Sequence, residues 1–335
     1  MRNFKMHTLL TCMLVSGSFT LGLLHARDRL YVNDQKVPES LEDLKVIEKA
    51  VLDGLPTARA ATICLQIGKG GSGSGVVVSP DGLIMTAAHV SGGVDKTIKV
   101  LFEDGTEAEA VSLGLDSVTD AALCRIVKPE RDNWPHVEID RKDSTQLGDW
   151  VFALGHSGGF EKDRGVVVRL GRIVKLSNST FHSDCILIGG DSGGPLFDLN
   201  GKLVGIHSRV GQVLQENMHV PSDEFIKNWD AMMEGEFLGE GPFAQKPVKG
   251  NGFLGFASEG HDGGGIRVTR VGEDTPAAKA GIKEGDILLS ANEKPLSKRE
   301  DLQDLLKEMS AGQEITFELK RGEESKTITI ELGER

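Results

Sequence analysis

The chain is poor in the groups that define several common protein classes. Of its 335 residues four are cysteines, one is a tyrosine, and aromatics make up 5%. Cys12 lies in an N-terminal leader, too early to read as a lipidation site. Cys64, Cys124 and Cys185 remain, an odd number without C-x-x-C spacing. At least one thiol therefore stays unpaired within the chain, and no disulfide framework is indicated. These three read as small apolar residues on strands. None of the nine histidines stands at H-x-x-x-H spacing, so that metal site is excluded. Basic residues are outnumbered 38 to 50, for a net charge of −12. Removing residues 1–26, which hold Arg2 and Lys5 and no acid, takes it to −14. Neutralising phosphates needs a basic face, so nucleic-acid binding is not expected.

What is present suits an exported protein of two modest domains: 39% apolar residues over this length build ordinary cores. Residues 1–26 read as a secretory signal, with Arg2 and Lys5 as the basic start, a mostly apolar stretch from Leu9 to Leu24, and Ala26 as a small residue at the cut. Left uncleaved, the same segment would be a membrane anchor, a task for which Ser16, Gly17, Ser18 and Thr20 dilute it.

The most informative stretch is Gly189-Gly190-Asp191-Ser192-Gly193-Gly194-Pro195-Leu196. It sets a serine in a glycine-rich turn whose N–H groups can converge on an oxyanion. A serine hydroxyl is a weak nucleophile near neutral pH and needs a base and an orienting acid. His89 ends the apolar run Leu83-Ile84-Met85 within Thr86-Ala87-Ala88-His89, and Asp116, Asp120, Asp95 and Asp104 are the acids within reach in sequence. The order His, Asp, Ser differs from the Ser, acid, His order of α/β-hydrolases, whose G-x-S-x-G elbow the motif also fits. An elbow also requires a helix after the serine. Here Pro195-Leu196-Phe197 leads instead into the turn Asp198-Leu199-Asn200-Gly201 and the strand-like Leu203-Val204-Gly205-Ile206.

With these motifs the chain resembles the HtrA/Deg group of trypsin-like serine proteases. The segments that carry the resemblance are Gly73 to Ser79, Thr86 to His89, Asp116 to Leu123, Gly148-Asp149-Trp150, Ser183 to Leu196, and a PDZ-like C-terminus, in that order. The resemblance implies a mainly β fold: a chymotrypsin-like double β-barrel followed by an α+β PDZ domain. The expected division is a signal peptide at 1–26, an N-terminal helical segment at 27–60, the protease at 61–230, a linker at 231–250 and the PDZ domain at 251–335. It implies catalytic roles for His89, Asp120 and Ser192, and an oxyanion hole made by the N–H groups of Gly190 and Ser192. Asp116 is then the preceding turn residue. Leu254, Gly255 and Phe256 would bind a peptide's terminal carboxylate, beside a helix face of Leu302, Leu305 and Leu306.

The activity implied is an exported, periplasmic endopeptidase that cleaves unfolded or damaged proteins, its PDZ domain binding C-terminal peptides. A non-catalytic PDZ-containing chaperone that keeps the fold is the alternative. No metal, nucleotide or organic cofactor is implied. The stretch Glu39 to Val51, with Leu44, Ile47 and Val51 at helical spacing and Ser40 as cap, reads as an amphipathic helix, and the resemblance makes it a candidate for holding a homotrimer together. Packing on its own barrel is the other reading. Pro221 to Trp229 is expected as a helix capped by Ser222, and Gly235 to Gly252, with its Gly and Pro, as a mobile or irregular connection.

Two departures from the family pattern shape further expectations. Family members usually carry Asn at Asp191, whereas digestive-type proteases bury an Asp there against an N-terminal amine freed by cleavage. A long segment precedes the barrel here, so backbone N–H groups or a basic side chain are expected to satisfy Asp191. Gly155-His156-Ser157-Gly158-Gly159 replaces an Asn-Pro-Phe-Gly-like loop. Ile188, His207 and the strand Met218-His219-Val220 are expected to wall an apolar S1 pocket.

Overall fold

A computed structural model describes residues 29–334 apart from 68–70, 130, 143, 212, 214, 215 and 247. The leader segment 1–26 lies outside the described residues, and so do the expectations placed on it. No described helix is long and apolar enough to cross a membrane.

The first long element among the described residues is α1 (Leu41–Ala61). Ser40 accepts the Asp43 N–H while Asp43 accepts the Ser40 N–H, a reciprocal capping box that satisfies two otherwise orphaned donors. The helix continues well beyond Val51, through Pro56 to Ala61. Its second half is held by packing: Ala58 and Ala61 enter the main core, and Arg59 pairs with Glu103. Ile47 packs on Val32 and Leu199, so one face covers its own barrel while Leu41, Leu44 and Leu52 stay exposed.

Strands β1 (Thr62–Ile67), β2 (Gly71–Val77), β3 (Leu83–Ala87), β4 (Thr97–Phe102), β5 (Glu107–Asp116) and β6 (Ala121–Lys128) close into an antiparallel barrel through the β5–β6 pairing. A short helix, α2 (Ala88–Ser91), interrupts the hairpin path after β3. The second barrel is formed by β7 (Trp150–Gly155), β8 (Val167–Leu176), β9 (Phe181–Ser183), β10 (Pro195–Asp198), β11 (Leu203–Val210) and β12 (Asn217–Pro221). Met85 and Leu123 of the first barrel share one apolar cluster with Phe152, Phe197 and Ile206 of the second. Each such fully buried side chain contributes about 1.5–3 kcal/mol, which fixes the two barrels against each other and defines the cleft between them.

Helices α3 (Ser222–Lys227) and α4 (Trp229–Met233) end the second barrel. Ser222 does not cap α3: its hydroxyl donates to the Asp140 carbonyl, and Pro221 takes the cap position without a side-chain hydrogen bond. The chain then returns to the first barrel, where β13 (Phe237–Leu238) adds in parallel beside β5. The expected connection is thus in part a docked strand.

The C-terminal unit is an antiparallel sheet of Phe256–Gly260, Ile266–Val271, Ile287–Ala291, Glu314–Arg321 and Glu324–Glu331, with helices α5 (Pro276–Ala280) and α6 (Arg299–Glu308). Its separate core centres on Leu288, Phe317 and Ile330. A mainly β double barrel followed by an α+β PDZ unit is the fold class that the resemblance implies.

Candidate active site

His89 sits in α2 at the end of β3, where the barrel wall delivers it to the cleft; its side chain is 37% exposed. Opposite it, Asp120 holds a left-handed conformation, φ 70°, at the turn before β6 and is fully buried. Asp116 builds that turn by accepting the N–H groups of Val118 (2.8 Å) and Thr119 (3.3 Å). Asp120 thereby reaches His89 Nδ1 with both carboxylate oxygens at 3.0 Å and accepts the His89 N–H at 3.1 Å. An acceptor pair on Nδ1 places the proton there and leaves Nε2 as the lone-pair nitrogen. Ser208, which no sequence motif marks, donates its hydroxyl to Asp120 Oδ2.

Ser192 lies with His89 in one cleft pocket of about 370 Å³. Its hydroxyl donates to the Ser208 carbonyl at 3.4 Å. The turn around it is clipped to the first barrel by Ser74, whose N–H donates to Ser192 O (2.7 Å) and whose hydroxyl donates to Gly190 O (2.8 Å). Gly190 has φ 93°, and a Cβ there would meet the His156 carbonyl at 2.5 Å, so this position requires glycine.

The peptide planes of the turn are set by their carbonyls. Gly189 O accepts the Gly158 N–H (2.6 Å) and Asp191 O accepts the Gly194 N–H (2.8 Å). In a trans peptide the N–H points opposite to the carbonyl. The N–H groups of Gly190 and Ser192 therefore face away from these contacts, and no acceptor among the described residues takes either one.

Asp191 is buried beneath the turn and paired. Arg169 Nη2 of β8 lies 2.9 Å from its Oδ2, Ser157 donates to Oδ1 (2.6 Å), and the Ile188 N–H donates to Oδ2 (2.9 Å). Arg169 also donates to the Ser157 hydroxyl at 2.8 Å. Both expected kinds of partner, backbone N–H and basic side chain, are present.

Ile188 and His207 line the pocket with Leu187 and Val210, whereas His219 lies behind His207 rather than on the wall. His207 Nε2 faces the Leu154 carbonyl (3.1 Å), an obligate acceptor, so its Nδ1 accepts from His219 Nδ1–H (3.0 Å). His219 Nε2 then accepts from Ser183 (2.7 Å). This chain of contacts satisfies two neutral imidazoles. Burial pushes His207 down to about 4 and His219 well below its ordinary value.

A second groove, in the C-terminal unit, is lined by Leu254, Gly255, Phe256, Arg299, Leu302 and Leu306. Leu254 O accepts the Ala277 N–H (2.9 Å) and Gly255 O the Gly272 N–H (2.8 Å), so the N–H groups of Gly255 and Phe256 point the other way. Gly255 has φ 87°, and a Cβ would lie 2.2 Å from Thr275. Leu305, expected on the groove face of α6, is not among the groove-lining residues; it lies half-buried against the core.

Residues 73–206 match the model of the trypsin-like peptidase domain and residues 252–332 that of the PDZ domain. Over 271 residues the chain is 31% identical to the "Probable periplasmic serine endoprotease DegP-like" of Pseudomonas savastanoi, covering 78% of this chain and 55% of that protein. The chain belongs to the HtrA/Deg family of trypsin-like serine proteases. A relative of the same name in Pseudomonas fluorescens is 29% identical over 315 residues, covering 91% of this chain and 65% of that protein. The chain thus spans between half and two thirds of the curated HtrA/Deg relatives it matches. Among solved structures, the serine endoprotease of Yersinia pestis aligns over 89% of this chain and 99% of that one, with 27% identity and a TM-score of 0.49.

Proposed function

We propose that this protein is an exported serine endopeptidase that cleaves peptide bonds of unfolded or damaged proteins through an acyl-enzyme on Ser192. Its PDZ domain binds C-terminal peptides at Leu254, Gly255 and Phe256. In this reading Ser192 attacks the scissile carbonyl. His89 Nε2 takes the hydroxyl proton and returns it to the leaving amine, and Asp120 holds the imidazole in the required tautomer and stabilises the imidazolium. The N–H groups of Gly190 and Ser192 receive the developing oxyanion, where one donor is typically worth about 3 kcal/mol of transition-state stabilisation. The Ser192 hydroxyl leaves the Ser208 carbonyl for the imidazole when substrate enters, in keeping with the loose catalytic geometry common without ligand.

The observation that carries the reading is the contact of both Asp120 oxygens with His89 Nδ1, in a pocket that also holds Ser192. The periplasmic naming of the relatives supports export. The neutral His207 and the aliphatic Leu187, Ile188 and Val210 suit an apolar P1 side chain. Hydrolysis of denatured casein by the wild type and its loss in Ser192→Ala test the proposal. Equal hydrolysis by both proteins overturns the nucleophile, and none by either favours the binding-protein alternative.

A further inference from the structure

We propose that Phe243, in the segment joining the two folded units, is a specificity-determining residue of the cleft. It forms the wall on which the substrate side chain at P2 packs, P2 being the residue before the one whose carbonyl is attacked. The inference rests on the proteolytic reading above.

Three observations carry it. Strand β11 runs past its pairing with β10, which ends at Pro195 and Ile206, so among the described residues Ser208, Arg209 and Val210 are flanked by β12 on one side only. A free edge of this kind accepts an extended peptide as an added strand. Side chains of that strand alternate between faces. With P1 directed at Leu187, Ile188 and His207, P2 faces the opposite way, toward His89. There Phe243 stands: its ring centroid is 6.5 Å from that of His89, and the Arg209 guanidinium lies 4.9 Å above it. Phe243 lines the same pocket as Ser192.

The ring is held in place by its own segment. After β13, the Gly241 N–H donates to the Ser117 hydroxyl (2.9 Å) and the Phe243 N–H to the Ser117 carbonyl (3.3 Å). Ser117 belongs to the turn that ends at Asp120, so the wall is referenced to the orienting acid itself. An aromatic face bounded by an imidazole edge removes a branched aliphatic P2 side chain such as Val or Leu from water. It offers nothing to Gly.

The test compares peptides that differ only at P2, Leu against Gly, on wild type, Phe243→Ala and Phe243→Leu, with labelling of Ser192 by a fluorophosphonate as the measure of intact active sites. The wild type favours Leu in kcat/KM by about tenfold or more. In Phe243→Ala this ratio falls about tenfold toward unity, in Phe243→Leu it keeps part of its value, and the P1 preference does not change. A P2 ratio equal in all three labelled proteins overturns the proposal. So does a uniform change over every peptide, which a plugging or purely structural ring would give. Absence of labelling in the wild type overturns the proteolytic reading and this inference with it.

Discussion

At the scale of single residues the most telling group is Asp191. A carboxylate fully removed from water needs a charge partner and hydrogen bonds, and Arg169, Ser157 and the Ile188 N–H supply them directly beneath the proposed oxyanion turn. Removing the guanidinium while leaving the acid is the costly change, because it strands a buried charge. Arg169→Met is expected to lose roughly 3 kcal/mol of stability in urea unfolding, and Asp191→Asn in that background to recover much of it. Equal midpoints for Arg169→Met and wild type contradict this role. His207 gives a prediction of pH. Its ordinary value is 6.5 and burial lowers it to about 4, so between these values the unfolded chain binds more protons than the folded one. Stability is therefore full above about pH 6.5 and falls as pH drops toward 4. Melting curves through this window show a declining midpoint, with a shallower decline in His207→Gln; identical slopes refute the assignment. At Asp120, replacement by Asn keeps the shape and loses the correct imidazole tautomer, for an expected fall in kcat of about 10⁴ in peptide hydrolysis.

At the scale of elements, local chemistry was readable where it is written locally. The Ser40 cap of α1 is one case, a polar side chain placed to receive a first-turn N–H. Ser40→Ala should cost about 1 kcal/mol in thermal or urea unfolding. The far end of α1 is less plainly written: Gly54 and Pro56 argue against a helix inside the 27–60 segment expected to be helical, and burial of Ala58 and Ala61 on the barrels overrides them. Ser222 shows the same limit: it looks like a cap, but a tertiary carbonyl claims its hydroxyl. The segments bearing His89, Asp120 and Ser192 could be recognised because each combines a reactive residue with a distinctive turn. Arg169, Ser208 and Phe243 could not. Nothing in Val167–Leu176 distinguishes Arg169 from Arg172; the β7–β8 register, which sets Arg169 across from Ala153 and Arg172 across from Trp150, decides which one meets Asp191. Phe243 lies in a stretch whose glycines and prolines read as a connection, and only the β13–β5 pairing returns it to the cleft.

At the scale of the whole molecule, two closed barrels grip a cleft and a separately cored PDZ unit follows. Both folded parts present backbone N–H groups that no acceptor among the described residues takes, those of Gly190 and Ser192 for the proposed oxyanion and that of Gly255 for the proposed peptide carboxylate. A peptide with a free C-terminus should therefore bind the isolated groove more tightly than its C-terminal amide, by about tenfold or more in fluorescence anisotropy, since a charge-assisted hydrogen bond is lost in the amide. The Lys96 ammonium, on the stretch that follows α2, donates to the Gly312 carbonyl of the PDZ unit and ties it to the His89 side of the cleft. The proteolytic reading depends on Ser192 being a nucleophile. The most direct measurement is mass spectrometry of the native protein after exposure to a fluorophosphonate: one phosphonyl group is expected, on Ser192, absent from His89→Ala and Ser192→Ala. An unmodified wild type, or modification that survives Ser192→Ala, would contradict it.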